Sequence, residues 1–237
     1  MRRPTDRLAA ATRRWLPAVG ALVAITTLAA CGSAASGDLP PAAGPDRSPA
    51  PRAAPEGRVT ESTAAIVRGQ VAPARRAQLR GDELRVELDP RARQLRLVDL
   101  TSGAVRSRIT VGVGPTQVAC AEQGPCFVTD TTGDALLVVR IAADGGSMRL
   151  VRRVYVAGAP YAIAVDRVRK RLWVTLTARD EVVELGAHGR PHILRRHPTV
   201  RQPDGVRVDE ASGDVTIIGS APPRLQVLTD PATPDRP

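Results

Sequence analysis

From residue 84 to residue 230 apolar and polar positions alternate in short runs: Leu95/Leu97, Leu137/Val139, Ile163/Val165 and Val206/Val208. A period of two places every second side chain on one face, as half-buried strands require, and it contradicts the 3.6-residue period of a helix. The runs end at Gly, Pro and Asp, residues that favour turns. Three longer stretches then align as wholes: "GPTQVACAEQGPCFVTDTTGDALLVVRI", "APYAIAVDRVRKRLWVTLTARDEVVEL" and "QPDGVRVDEASGDVTIIGSAPPRLQVL". Their prolines, Pro115, Pro160 and Pro203, are 45 and then 43 residues apart. A fourth copy lies upstream in "ELRVELDPRARQLRLVDLTSGAVRSRITVG", where Val86 takes the place of Val128, Val174 and Ile217 at spacings of 42, 46 and 43.

Four short strands in a repeat of roughly 40 to 45 residues make one propeller blade. The outermost strand is visible as "AVRSRITV" (104–111) and "SMRLVRRVYV" (147–156), polar at alternate positions as a solvent-facing strand should be. The expected fold is therefore all-β: a β-propeller of about four blades spanning residues 58–230, followed by a short disordered tail, 231–237. The first copy lacks an obvious innermost strand and the last lacks its outermost one. Either the stretch from 58 to 83, with Val59, Ile66, Val67 and Val71 in a strand-compatible run, closes a ring within one chain, or the domain is an open arc completed by a second copy, a homodimer. An open arc leaves sheet edges exposed.

The motif "GxGPxxVA…FVTDTTGDALLVV" resembles the YVTN-type propeller repeat, and "QPDGVRVDEASGDVTIIGSAPPRLQVL" is similar to the NHL repeat. The resemblance covers about two thirds of the chain and implies a propeller that works as a non-catalytic binding or scaffold module. Gluconolactonase-like enzymes resemble the same fold, and in that family carboxylates and asparagines hold a central cation. The alternative is therefore a lactonase-like hydrolase with a metal in its channel. This chain contains no asparagine, and Asp130, Asp166, Asp204 and Asp209 recur at turn positions, where Asp caps its own backbone. No metal or other cofactor is expected. Residues just after the repeated prolines, Thr116, Tyr161 and Asp204, are the candidate ligand face, since loops between blades carry propeller partners.

Before the repeats the pattern changes. Residues 2–14 carry five arginines against Asp6, and Leu16–Ala30 is an apolar or small run of fifteen residues, the layout of an export signal. It is short for a permanent span, which needs roughly 20 residues. Leu28-Ala29-Ala30-Cys31-Gly32 resembles the bacterial lipobox, whose cysteine receives a diacylglycerol while the peptide is cut before it. Residues 1–30 then read as a lipoprotein signal peptide. Residues 31–57 read as lipidated Cys31 followed by an Ala/Pro/Gly-rich linker, a composition too poor in apolar side chains to fold. "TRRWL" (12–16) also faintly resembles a twin-arginine export signal. The domain is expected outside the cytoplasm, held to the membrane by lipid.

Two cysteines remain, in "CAEQGPC". Outside the cytoplasm Cys120 and Cys126 are expected to pair across a hairpin that turns at Gly124-Pro125. The net charge is +10, of which the leader holds +4; nearly all the base is Arg, with Lys170 the only lysine, and aromatics are 2%. Scattered arginines without stacking platforms argue against nucleic acid as a partner. The three histidines, His188, His192 and His197, read as surface-loop residues, because Gly189 and Pro191 forbid a shared helical face. A protein, a peptide or an envelope glycan remains as the partner.

Overall fold

The computed structural model describes residues 53–62, 74–79, 83–121 and 124–229. The leader, Cys31, most of the linker, Ile66, Val67, Val71 and the tail lie outside them. In chain order the strands are β1 (Arg58–Glu61), β2 (Arg76–Gln78), β3 (Leu84–Asp89), β4 (Gln94–Asp99), β5 (Val105–Thr110), β6 (Pro115–Cys120), β7 (Cys126–Asp130) and β8 (Ala135–Ile141). They continue as β9 (Met148–Tyr155), β10 (Pro160–Asp166), β11 (Arg171–Leu176), β12 (Glu181–Gly186), β13 (Ile193–Pro198), β14 (Pro203–Val208), β15 (Val215–Ser220) and β16 (Pro223–Leu228).

These strands form four antiparallel four-stranded sheets: β2-β3-β4-β5, β6-β7-β8-β9, β10-β11-β12-β13 and β14-β15-β16-β1. Each sheet is one blade, and the chain has a β-propeller fold. The two strands missing from the repeats come from the stretch before them. β1 pairs with β16, from Arg58 opposite Val227 to Glu61 opposite Arg224, and so completes the fourth blade. β2 lies inside β3, with Ala77 opposite Val86. The N–H of Val118 donates to Ala74 O at 2.7 Å, tying this entrance to the second blade.

The alternation explains how blades stack. In β7 Val128 faces the first blade, within a core containing Val86, Leu95, Leu97, Val118 and Leu137. Its neighbour Phe127 points the other way, into a second core with Leu136, Leu172, Val174 and Leu185. A third core joins blades three and four through Val182, Val200, Val206, Val215 and Ile217. Val86, Val128, Val174 and Ile217, the four repeat equivalents, are all completely buried. The outer strands β5 and β9 are mostly exposed and rich in Arg, as expected.

Polar links between blades repeat as well. Arg93, Asp134 and Asp180 each sit in the left-handed region (φ 53°, 48° and 52°), a conformation in which Asp is over-represented. Their carbonyls accept from Val111, Val156 and Thr199, just past each outer strand, at 2.8 Å. The carboxylates of the two aspartates reach on to the next blade: Asp134 to the N–H groups of Gly158 and Ala159, Asp180 to that of Gln202. Gly112, at φ +62°, has no substitute, because a Cβ there would lie 2.6 Å from the Asp130 carboxyl carbon.

Cys120 and Cys126 are register partners across the β6–β7 hairpin and form a disulfide, with their Cα atoms 4.0 Å apart. Both are buried in the core between the first two blades.

Candidate functional site

The innermost strands of blades two to four, β6, β10 and β14, open at a proline and then slip register: between Pro115 and Val118, Pro160 and Ile163, and Pro203 and Gly205. Such bulges turn a side chain away from its regular direction. They fall at Thr116, Tyr161 and Asp204, so these equivalents share one geometric origin, but their surroundings differ.

Thr116 is fully buried. Its hydroxyl lies 3.1 Å from Thr129 Oγ1 and 2.5 Å from Thr131 Oγ1. Those two hydroxyls donate to the carbonyls of Tyr161 and Pro160, each at 2.7 Å. Thr116 therefore belongs to a threonine cluster that fixes the start of β10 against blade two, and it presents nothing to a ligand. Tyr161 is also buried, within the core of blades three and four. Burial, with the negative charge of Asp204, raises its phenol to about 12, and the positive Arg75 acts against them.

Asp204 is the polar member of this set. Burial pushes its carboxyl up to about 6, opposed by a hydrogen bond with Ser220. Its Oδ1 is buried and accepts no hydrogen bond. Tyr161 thus feels the charges of both Asp204 and Arg75, whereas Thr116 is enclosed in its hydroxyl cluster.

The remaining turn aspartates are capping residues. Asp130 accepts from the N–H groups of Val113 and Gly114, Asp166 from that of Arg169, and Asp209 from those of Ala211 and Ser212. The two bonds to Asp209 hold its carboxyl below the ordinary value. Among the described residues no three His, Cys, Asp or Glu side chains come together as a metal site.

A second feature escaped the sequence. A cavity of about 370 Å³ opens between blades three and four, floored by Val215 and Leu228. Its wall on blade three carries Arg171, Trp173, Glu184, Arg195 and His197. Here the expectation for His197 is corrected. It is a β13 strand residue opposite Val182, and only 16% of its side chain is exposed. Its ring lies 5.6 Å from that of Trp173, and its Nδ1 is 2.6 Å from Glu56 Oε2. Trp173 Nε1 and His197 Nε2 are both buried without a hydrogen-bond partner. One signal was available: Arg171 and Trp173 occupy alternate positions of a strand whose other face is Leu172 and Val174.

No protein-family model matches this chain, and no curated protein is similar to it. Solved structures are similar in fold. Kuenenia stuttgartiensis hydrazine synthase aligns with a TM-score of 0.58 at 14% identity, over 75% of this chain and 49% of that one. A functionally unknown protein from Desulfotomaculum acetoxidans aligns at 0.55 and 13%, over 60% and 47%. The β-propeller domain of Myceliophteria thermophila Cps50 (Swd1) aligns at 0.55 and 11%, over 65% and 52%. This chain spans about half the length of each. At such identities the likeness shows the fold alone, that of the β-propeller proteins, which host unrelated activities.

Proposed function

We propose that this chain is an extracytoplasmic lipoprotein whose YVTN/NHL-like propeller acts as a non-catalytic binding module, held to the membrane through Cys31. The observation that carries the anchor is the order of basic segment, apolar run and lipobox, followed by a Pro-rich stretch that leads into β1. Two or more acyl chains make such attachment stable, whereas one alone is marginal. The binding role is supported by the repeats, in which the recurring Asp carboxylates serve as turn and blade caps. An exported location also suits the disulfide in the first hairpin.

The experiment is fractionation of cells producing the wild type or Cys31→Ala. The wild type should sediment with membranes and be digested by protease added outside the cytoplasmic membrane. Cys31→Ala should accumulate as unprocessed precursor or be released without lipid. Wild-type protein recovered in the cytosol, or equal behaviour of the two forms, would refute the anchor.

A further inference from the structure

We infer that the cavity between blades three and four is a binding site for a single pyranose-sized unit bearing an oxyanion, a carboxylate or a phosphate. Its volume of about 370 Å³ lies at the small end of ligand pockets, which run from roughly 300 to 1,000 Å³. That space suits one ring with its substituents.

The chemistry of the wall selects the ligand. Arg171 is paired with Glu184 at 2.8 Å, and Arg169 lies 3.3 Å from Asp166. Arg195 lines the same cavity, is exposed, and among the described residues has no ion-pair partner. A guanidinium with an open fork is the side chain best matched to carboxylate or phosphate. The Arg171–Glu184 pair beside it is partly exposed and presents both donors and acceptors, which a ring of hydroxyl groups can use.

A second, independent observation comes from the aromatic pair. Trp173 and His197 are adjacent side chains of this one cavity, with ring centroids 5.6 Å apart. Their Nε1 and Nε2 atoms are buried and offer a ligand no hydrogen bond, so it is the ring surface that the cavity presents. The indole ring itself is partly exposed, a surface on which the apolar face of a pyranose can rest.

The floor is shaped to leave room. Gly213 lines the cavity at φ +86°, and a Cβ there would lie 2.6 Å from the guanidinium carbon of Arg169. Any side chain at 213 would displace that arginine.

The inference deepens the binding-module reading and rests on it, but its test does not involve the anchor. Detergent-purified full-length protein is titrated calorimetrically with glucuronate, with glucose 6-phosphate and with glucose. Saturable binding of at least one acidic probe is expected, on the order of tenfold tighter than glucose, because charge-assisted hydrogen bonds are about twice as strong as neutral ones. Arg195→Ala, an exposed change that leaves the cores untouched, should weaken the acidic probe by about tenfold and glucose hardly at all. Trp173→Ala, which removes the ring surface, should weaken all probes together. Absence of saturable binding by both acids would overturn the proposal, as would equal affinity for glucose or an unchanged affinity in Arg195→Ala. Those results would leave the membrane fractionation of the Cys31 variant unaffected, so the two readings fail separately.

Discussion

Replacing Asp204 with Asn tests the electrostatics of the inner strands. The carboxyl rises from 3.8 to about 6 in the folded chain, chiefly through burial. Folding therefore favours the protonated form. Below the unfolded value both states hold the proton and there is no penalty; as pH rises from about 4 to about 6 the folded state must ionise a buried group, and above that the full cost is present. A shift of about two units is worth about 3 kcal/mol at 1.36 kcal/mol per unit, and partial solvent access reduces the effect to about 1–3 kcal/mol. Asn keeps the shape and the capacity to bond Ser220 while removing the charge. Urea unfolding at pH 4 and pH 7.5 reads the difference. Asp204→Asn should match the wild type at pH 4 and exceed it by about 1–3 kcal/mol at pH 7.5. Other carboxyls, including Asp99, which is held down to about 2 by its hydrogen bonds with Ser102 and Arg106, titrate alike in both proteins and cancel. A variant less stable than the wild type at pH 7.5 but not at pH 4 would show that the anion is stabilised, and the reasoning would be wrong.

Three further outcomes follow from the packing. Thr116→Val keeps the shape but strips the hydroxyl from the buried threonine cluster, and should cost about 1–3 kcal/mol in denaturant unfolding; no loss would mean that the cluster does not brace β10. Converting both Cys120 and Cys126 to Ala opens a short loop and should cost about 2 kcal/mol by the chain-entropy model, so thiol mapping that finds both sulfurs free in exported protein would contradict the bridge. A chain beginning at Ala53 should unfold like the mature protein, whereas one beginning at Pro73 loses β1 from the fourth blade and should melt lower or aggregate through the exposed edge of β16; equal melting would show that β1 adds nothing.

Most of the blade plan was legible because period-two alternation records burial directly. Val86, Val128, Val174 and Ile217 align in sequence because each second strand must bury a side chain between neighbouring blades. β2 was not legible: "RAQ" is three residues with no apolar alternation, and its place is set by the partner strand β3. The set of post-proline residues was half legible. Spacing identified the shared position, but a bulge sends each side chain into whatever its blade offers, so Thr116 entered a hydroxyl cluster and Asp204 a buried, partly unsatisfied site. His197 was misread because Gly189 and Pro191 spoke only for the loop before it. The groove beside it is made by two blades whose facing residues are more than thirty positions apart, such as Trp173 and Val215, and no local pattern reports that.

The proposal of an exported propeller tethered at one cysteine is tested most directly by intact-mass analysis of the protein taken from the membrane of its own cells. The expected species begins at Cys31, carries the mass of a diacylglycerol with or without a further acyl chain, and is two hydrogens lighter for the Cys120–Cys126 bridge. A species that retains residues 1–30 with all three cysteines unmodified would contradict it.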